Sequence, residues 1–114
     1  MKITSKIKID IYTIDNGKSP FIIWLESIKD KTIRYRVKER LDRVSLGNLG
    51  DYKAIGGGLE ELRLSFGAGY RIYFGRVGEK IILLLCGGDK GSQEQDIKKA
   101  KEYWQDYLRG ENHD

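Results

Sequence analysis

Two alternating stretches divided by only three residues dominate this sequence. Leu59 to Phe66 reads Leu-Glu-Glu-Leu-Arg-Leu-Ser-Phe, then come Gly67-Ala68-Gly69 and Tyr-Arg-Ile-Tyr-Phe from Tyr70 to Phe74. So short a link forces the flanking strands to pair as a hairpin. Pairing Phe66 with Tyr70 across the link sets Leu64 opposite Ile72 and Leu62 opposite Phe74. Strand side chains alternate, so these six apolar groups share one face. The other face carries Glu61, Arg63, Ser65, Arg71 and Tyr73. In this register Arg63 faces Tyr73, with Arg71 as its diagonal neighbour about 7–8 Å away. Two guanidinium groups and a phenol on an open sheet face make a poor core and a good phosphate holder.

The rest of the chain supplies elements to pack against that hairpin. Residues 6–14 alternate and are β-branched, with Ile7, Ile9, Ile11 and Thr13 against Lys8, Asp10 and Tyr12, which predicts a strand. Asp15-Asn16-Gly17 is a turn. Ser19 is placed to cap a short helix opened by Pro20, with Phe21, Trp24, Leu25 and Ile28 at helical spacing. A second helix is expected from Lys31 to Leu46. Ile33, Val37, Leu41 and Val44 form its buried stripe, and Arg36, Arg40 and Arg43 lie beside it. Gly47 to Asp51 ends that helix, and residues 51–58 read as a loop carrying Lys53 and three glycines. Strands are expected at 59–66, 70–77 and 80–86, with Gly78-Glu79 as the second tight turn. The run Ile81 to Cys86 is apolar on both faces, so it is central or covered on both sides. The N-terminal strand is expected beside it. Ser92 with Gln95 gives a capping box for a last helix whose buried stripe is Ile97, Ala100, Trp104 and Leu108. The class is α+β in the order β-α-α-β-β-β-α: a four-stranded, mainly antiparallel sheet, a helical hairpin on one face and a C-terminal helix. Residues 1–109 form one domain, and 110–114 are expected to be a disordered tail.

Composition narrows the functional classes. A chain of 114 residues, 39% hydrophobic and 33% charged, is too apolar for disorder. The single cysteine, Cys86, sits in the most apolar strand. It reads as a small core hydrophobe in a reducing compartment, with no internal disulfide. No stretch approaches the roughly 20 apolar residues of a membrane span. The N-terminus lacks the apolar core of a secretion signal, so the expected location is the cytoplasm. The net charge of +4 is unevenly placed: Lys29 to Lys53 holds eight basic and four acidic residues, the last 21 residues six acidic and four basic. An electropositive middle favours a polyanion such as RNA. Arg36, Arg40 and Arg43 are candidate RNA contacts. No clustered His/Cys ligands occur, and Gly56-Gly57-Gly58 lacks the lysine and helix of a phosphate-binding loop, so neither metal nor cofactor is expected.

The residues suit RNA strand cleavage. A 2′-OH attacks the adjacent phosphate, leaving a cyclic phosphate and a 5′-OH. Cations that stabilise the pentacovalent oxyanion, with a group that moves protons, suffice. Arginine keeps its charge at any working pH, so Arg63 and Arg71 suit clamping. A lysine among arginines has its ammonium disfavoured, which makes Lys53 or Lys90 a candidate base or acid. Tyr73 is a candidate for stacking on a base. Glu61 reads as a partner for a neighbouring arginine.

In sequence the chain resembles the RelE/ParE superfamily of toxins from bacterial type II toxin–antitoxin systems, and within it the HigB-like group called addiction module killer proteins. The resemblance rests on Phe21-x-x-Trp24-Leu25, Arg40-Leu41, Gly47-Asn48-x-Gly50-Asp51, Glu61-Leu62-Arg63, Gly69-Tyr70-Arg71-Ile72-Tyr73-Phe74, Leu84-Leu85-x-Gly87-Gly88-Asp89-Lys90 and Gln93-x-x-Asp96-Ile97-x-x-Ala100. It implies a RelE-like fold and a cognate antitoxin encoded in an adjacent gene, often of helix-turn-helix type, forming a hetero-oligomer. RelE-like and HigB-like members cleave mRNA, typically on the ribosome, whereas ParE-like members inhibit DNA gyrase without catalysis. By resemblance Arg63, Arg71, Lys90 and Lys53 are the catalytic positions. HigB-like and YoeB-like members often use a histidine near the C-terminal end of the sheet. The only histidine here is His113, which leaves the lysine-and-arginine scheme of RelE open.

Overall fold

The computed structural model describes residues 6–111. Its elements are β1 (Lys8–Ile11), α1 (Pro20–Ser27), α2 (Lys31–Ser45), β2 (Tyr52–Gly56), β3 (Leu59–Leu64), β4 (Tyr70–Val77), β5 (Ile81–Gly88) and α3 (Gln93–Glu111). A short 3-10 turn, Lys90–Ser92, leads into α3. The five strands form one mixed sheet in the order β1-β5-β4-β3-β2. β1 runs parallel to β5, and the remaining pairings are antiparallel. The protein is therefore α+β.

β1 does lie beside β5, but the sheet has five strands where four were expected. Tyr52–Gly56, expected as loop, pairs with β3 through Tyr52 with Leu62 and Lys53 with Glu61. Gly56, Gly57 and Gly58 have φ of 91°, 66° and 85°, so the glycine run turns β2 into β3. Tyr52, Lys53 and Ala54 are all exposed on this edge strand, so hydrophobic alternation had nothing to report.

The β3–β4 register differs by two residues from the expected one. Leu64 pairs with Tyr70, Arg63 with Arg71, Leu62 with Ile72 and Glu61 with Tyr73. The link is Ser65 to Gly69, longer than the three-residue turn. A two-residue shift keeps every side chain on its face and changes only its partner. Phe66 leaves the strand, and its ring centroid lies 6.1 Å from that of Tyr70.

Two cores flank the sheet. On one face Phe21, Leu25, Ile28, Val37 and Val44 of the helical hairpin pack on Leu62, Leu64, Ile72, Phe74, Ile82 and Leu84. The hairpin starts as expected: Ser19 Oγ accepts from the Ile22 N–H at 3.2 Å, and Pro20 opens α1. On the other face α3 lays Ala100 and Trp104 over Leu59, Tyr73, Leu83, Leu85 and Cys86. That face is not open, and Tyr73 is fully buried under it. A register break sets Tyr73 against Cys86 but Phe74 against Leu84. This sends both Leu85 and Cys86 toward α3. Strand glycines make room for the helices. A Cβ on Gly75 would stand 2.5 Å from the Trp104 ring, and one on Gly87 would collide with Trp24.

The cap before α3 is one turn earlier than expected. Asp89 and Ser92 form the capping box, with the Ser92 N–H donating to Asp89 Oδ1 at 3.1 Å and the Asp89 N–H to Ser92 Oγ at 3.3 Å. α3 continues through Gly110 to Glu111, into the segment expected as a tail. Residues 112–114, with His113, lie outside the described residues.

Candidate phosphate-binding site

Directly paired residues share a sheet face, so the pairings place the polar groups. Lys53, Glu61, Tyr73 and Cys86 form one row across β2, β3, β4 and β5. Arg63 and Arg71 stand opposite each other in the next row toward the Ser65–Gly69 link, followed by Gly88. All lie on the α3 face. Lys53 is exposed. The side chains of Arg63 and Arg71 are 36% and 14% exposed, and that of Glu61 is 0%. Neither guanidinium sits in a hydrophobic core.

Glu61 holds the arginines. Arg63 Nε donates to its Oε2 at 3.2 Å, Arg71 Nη1 lies 3.5 Å from the same oxygen, and Gln93 Nε2 donates to Oε1 at 2.9 Å. A fully buried carboxylate is costly unless so paired, and the expected pairing with a neighbouring arginine is met twice. Arg71 Nε and Tyr73 Oη are buried without a hydrogen-bond partner among the described residues. Burial, reinforced by Glu61 and Asp96, holds the Tyr73 phenol above its ordinary range. Fully buried, Tyr73 cannot stack on a base. Its expected RNA contact is corrected, because α3 covers it.

Beside the arginines is a cavity of about 170 Å³ lined by Asp51, Arg63, Ser65, Gly69 and Arg71. A water's share of liquid volume is about 30 Å³, so the space admits a group of phosphate size. Larger grooves exist elsewhere. One of about 540 Å³ next to Tyr12 and Tyr103 mixes Asp15, Glu102 and Asp106 with Lys101 and Arg109, so it lacks the paired cations of the corner.

Lys90 is exposed on the 3-10 turn after β5. Its N–H points to Ala68 O at 3.5 Å, and its Cβ stands 3.5 Å from where a Cβ on Gly69 would be. It thus stands against the link that walls the cavity. Arg36 is exposed, with its guanidinium carbon 5.0 Å from the Phe66 ring centroid. Arg43 is exposed in the last turn of α2.

Arg40 departs from expectation. It donates to Leu49 O at 2.8 and 3.2 Å, to Asp51 O at 2.8 Å and to Arg63 O at 2.6 Å. Burial, then the charge of Arg43, lowers its pKa. It is a strut joining α2, the loop after it and β3. The expected RNA contact is corrected, since its donors are committed to backbone carbonyls. Sequence reasoning gave Gln93 no chemical role. The only available signal was a polar side chain at a helix start that faces a buried acid. Among the described residues no group of three or more His, Cys, Asp or Glu is gathered as metal ligands. No helix among them is long and apolar enough to cross a membrane.

Fold and site together define a small α+β protein with a cationic corner at one end of its sheet. No protein-family model matches the chain. An uncharacterized protein of Haemophilus influenzae (strain ATCC 51907 / DSM 11121 / KW20 / Rd) is 41% identical to it over 81 residues, 71% of this chain and 82% of that protein. The chain belongs to the same family as that protein.

Proposed function

We propose that this protein is a RelE/ParE-type toxin of a type II toxin–antitoxin pair, acting in the cytoplasm as a metal-independent mRNA endoribonuclease on the ribosome. The observation that carries this reading is the direct pairing of Arg63 with Arg71 beside a phosphate-sized cavity, with Lys90 packed against Gly69 of the link that borders it. The α+β class and the helical hairpin on one sheet face support the reading, while the added edge strand β2 departs from the order that the sequence resemblance implies.

The two guanidinium groups stabilise the pentacovalent phosphate, and Lys53 or Lys90 moves the protons. Arg36 and Arg43 extend the cationic surface along α2 for the RNA backbone. The partner is a cognate antitoxin whose acidic segment covers this corner.

The test is primer extension on a defined mRNA, with and without ribosomes, in EDTA. Cleavage leaving a 2′,3′-cyclic phosphate is the expected result. Absence of cleavage by folded protein, with inhibition of gyrase supercoiling, would replace this reading by the ParE-like one.

A further inference from the structure

We infer that Glu61 is a positioning residue: one buried carboxylate fixes both arginines and ties them to α3 through Gln93. The kinetic consequence rests on the ribonuclease reading, whereas the geometry does not. Glu61 is fully buried and three donors converge on it, so it cannot reach a 2′-OH. Its Oε2 faces both guanidinium groups, which stand directly opposite each other on β3 and β4. Two like charges so placed repel, and the shared counter-charge is what lets both remain. Arg63 reaches the carboxylate through Nε, and its terminal amino groups have no protein partner among the described residues. Those groups are available to a phosphate while the side chain is held from behind. Gln93 anchors the second oxygen and so locks the carboxylate's rotation. The arginines are thereby oriented before substrate arrives, which is where preorganised cations gain their effect.

The experiment compares wild type with Glu61→Gln, Glu61→Asp and Gln93→Ala. It reads folding by circular dichroism, single-turnover cleavage, affinity for an uncleavable 2′-O-methyl RNA, and the arginine Nε–H signals in NMR. Glu61→Gln keeps the shape and removes the charge. Its cleavage rate is expected to fall about 10–100-fold, as loss of a ligand-orienting partner does at metal sites. RNA affinity should hold or rise, because a negative charge beside the cations is gone. Glu61→Asp should recover part of the rate, and Gln93→Ala should lose less than Glu61→Gln. A wild-type rate in folded Glu61→Gln, or rate and affinity falling together, overturns the inference. If Glu61→Gln does not fold, Glu61→Asp and Gln93→Ala carry the same comparison. If wild type cleaves nothing, the ribonuclease reading fails, and the NMR arm alone judges the geometry. An Arg63 Nε–H signal that moves toward the solvent-exposed position in the variant supports it, and an unchanged Arg63 signal refutes it.

Discussion

What an arginine can do depends on where its donors go. Arg40 gives its donors to carbonyls of Leu49, Asp51 and Arg63, whereas Arg71 keeps its charge beside the cavity. Arg40→Ala is therefore expected to cost about 2–3 kcal/mol in urea unfolding, because several charge-assisted bonds are lost together. Arg71 needs a gentler change, since truncating it would leave the buried Glu61 with one cation fewer. Arg71→Lys retains the charge and loses the planar fork. Cleavage should drop by roughly 10²–10³, as for a lost oxyanion donor, while the melting temperature moves far less. Two tyrosines offer the same contrast. Tyr12 Oη donates to Asp106 Oδ2 at 2.5 Å, whereas Tyr73 Oη is buried without a hydrogen-bond partner among the described residues. Tyr12→Phe should destabilise by about 1 kcal/mol, and Tyr73→Phe should be neutral or stabilising. Alternation was enough to place Arg63 and Arg71 on one face, because period two survives a two-residue register slip. The burial of Tyr73 was not legible, since no pattern within a strand says which helix will cross it.

At the scale of elements, α3 decides which part of the polar face remains open. Its stripe of Ile97, Ala100, Trp104 and Leu108 was readable from spacing, and its landing place depends on strand glycines, Gly75 under Trp104 and Gly88 under Asp96. Gly75→Ala should destabilise by about 1–3 kcal/mol through overpacking against Trp104. Trp104→Leu in the same chain should restore part of that loss, which a double-mutant cycle by thermal melts would detect. Two independent costs with no recovery would refute the contact. Helices and buried strands were legible because burial imposes periodicity on them. β2 was not, because an exposed edge strand is held by its backbone pairing with β3 and a glycine turn. The capping box was misplaced for a similar reason. Ser92 can serve either the turn before it or the helix after it, and Asp89 decides in favour of the turn.

At the scale of the whole molecule, charge and burial set the response to pH and salt. Burial pushes the Cys86 thiol from 9.0 to about 12. A raised acid pKa stabilises the fold fully below the unfolded value, and this contribution is lost as pH climbs from about 9 toward 12. Tyr12 and Tyr73 act in the same direction. Melting temperature should therefore fall over this alkaline range, and Cys86→Ala should make the fall shallower. Salt tests the cationic corner itself. Lys53 and Lys90 are exposed, so if they contact RNA phosphate each releases a counterion. For single-stranded RNA the log–log slope of affinity against salt should lessen by about 0.7 per lysine removed. Lys53→Ala with Lys90→Ala should thus reduce it by about 1.4, measured on an uncleavable RNA by fluorescence anisotropy. Glu79 and Lys80 lie at the far sheet end, between β4 and β5, so Lys80→Ala is the control and should leave the slope unchanged. Equal changes for Lys80 and the corner pair would mean that RNA senses only the net charge of +4 and not a site. A slope lessened only by the corner pair would place the phosphate path across Lys53 and Lys90, where the proposed cleavage requires it.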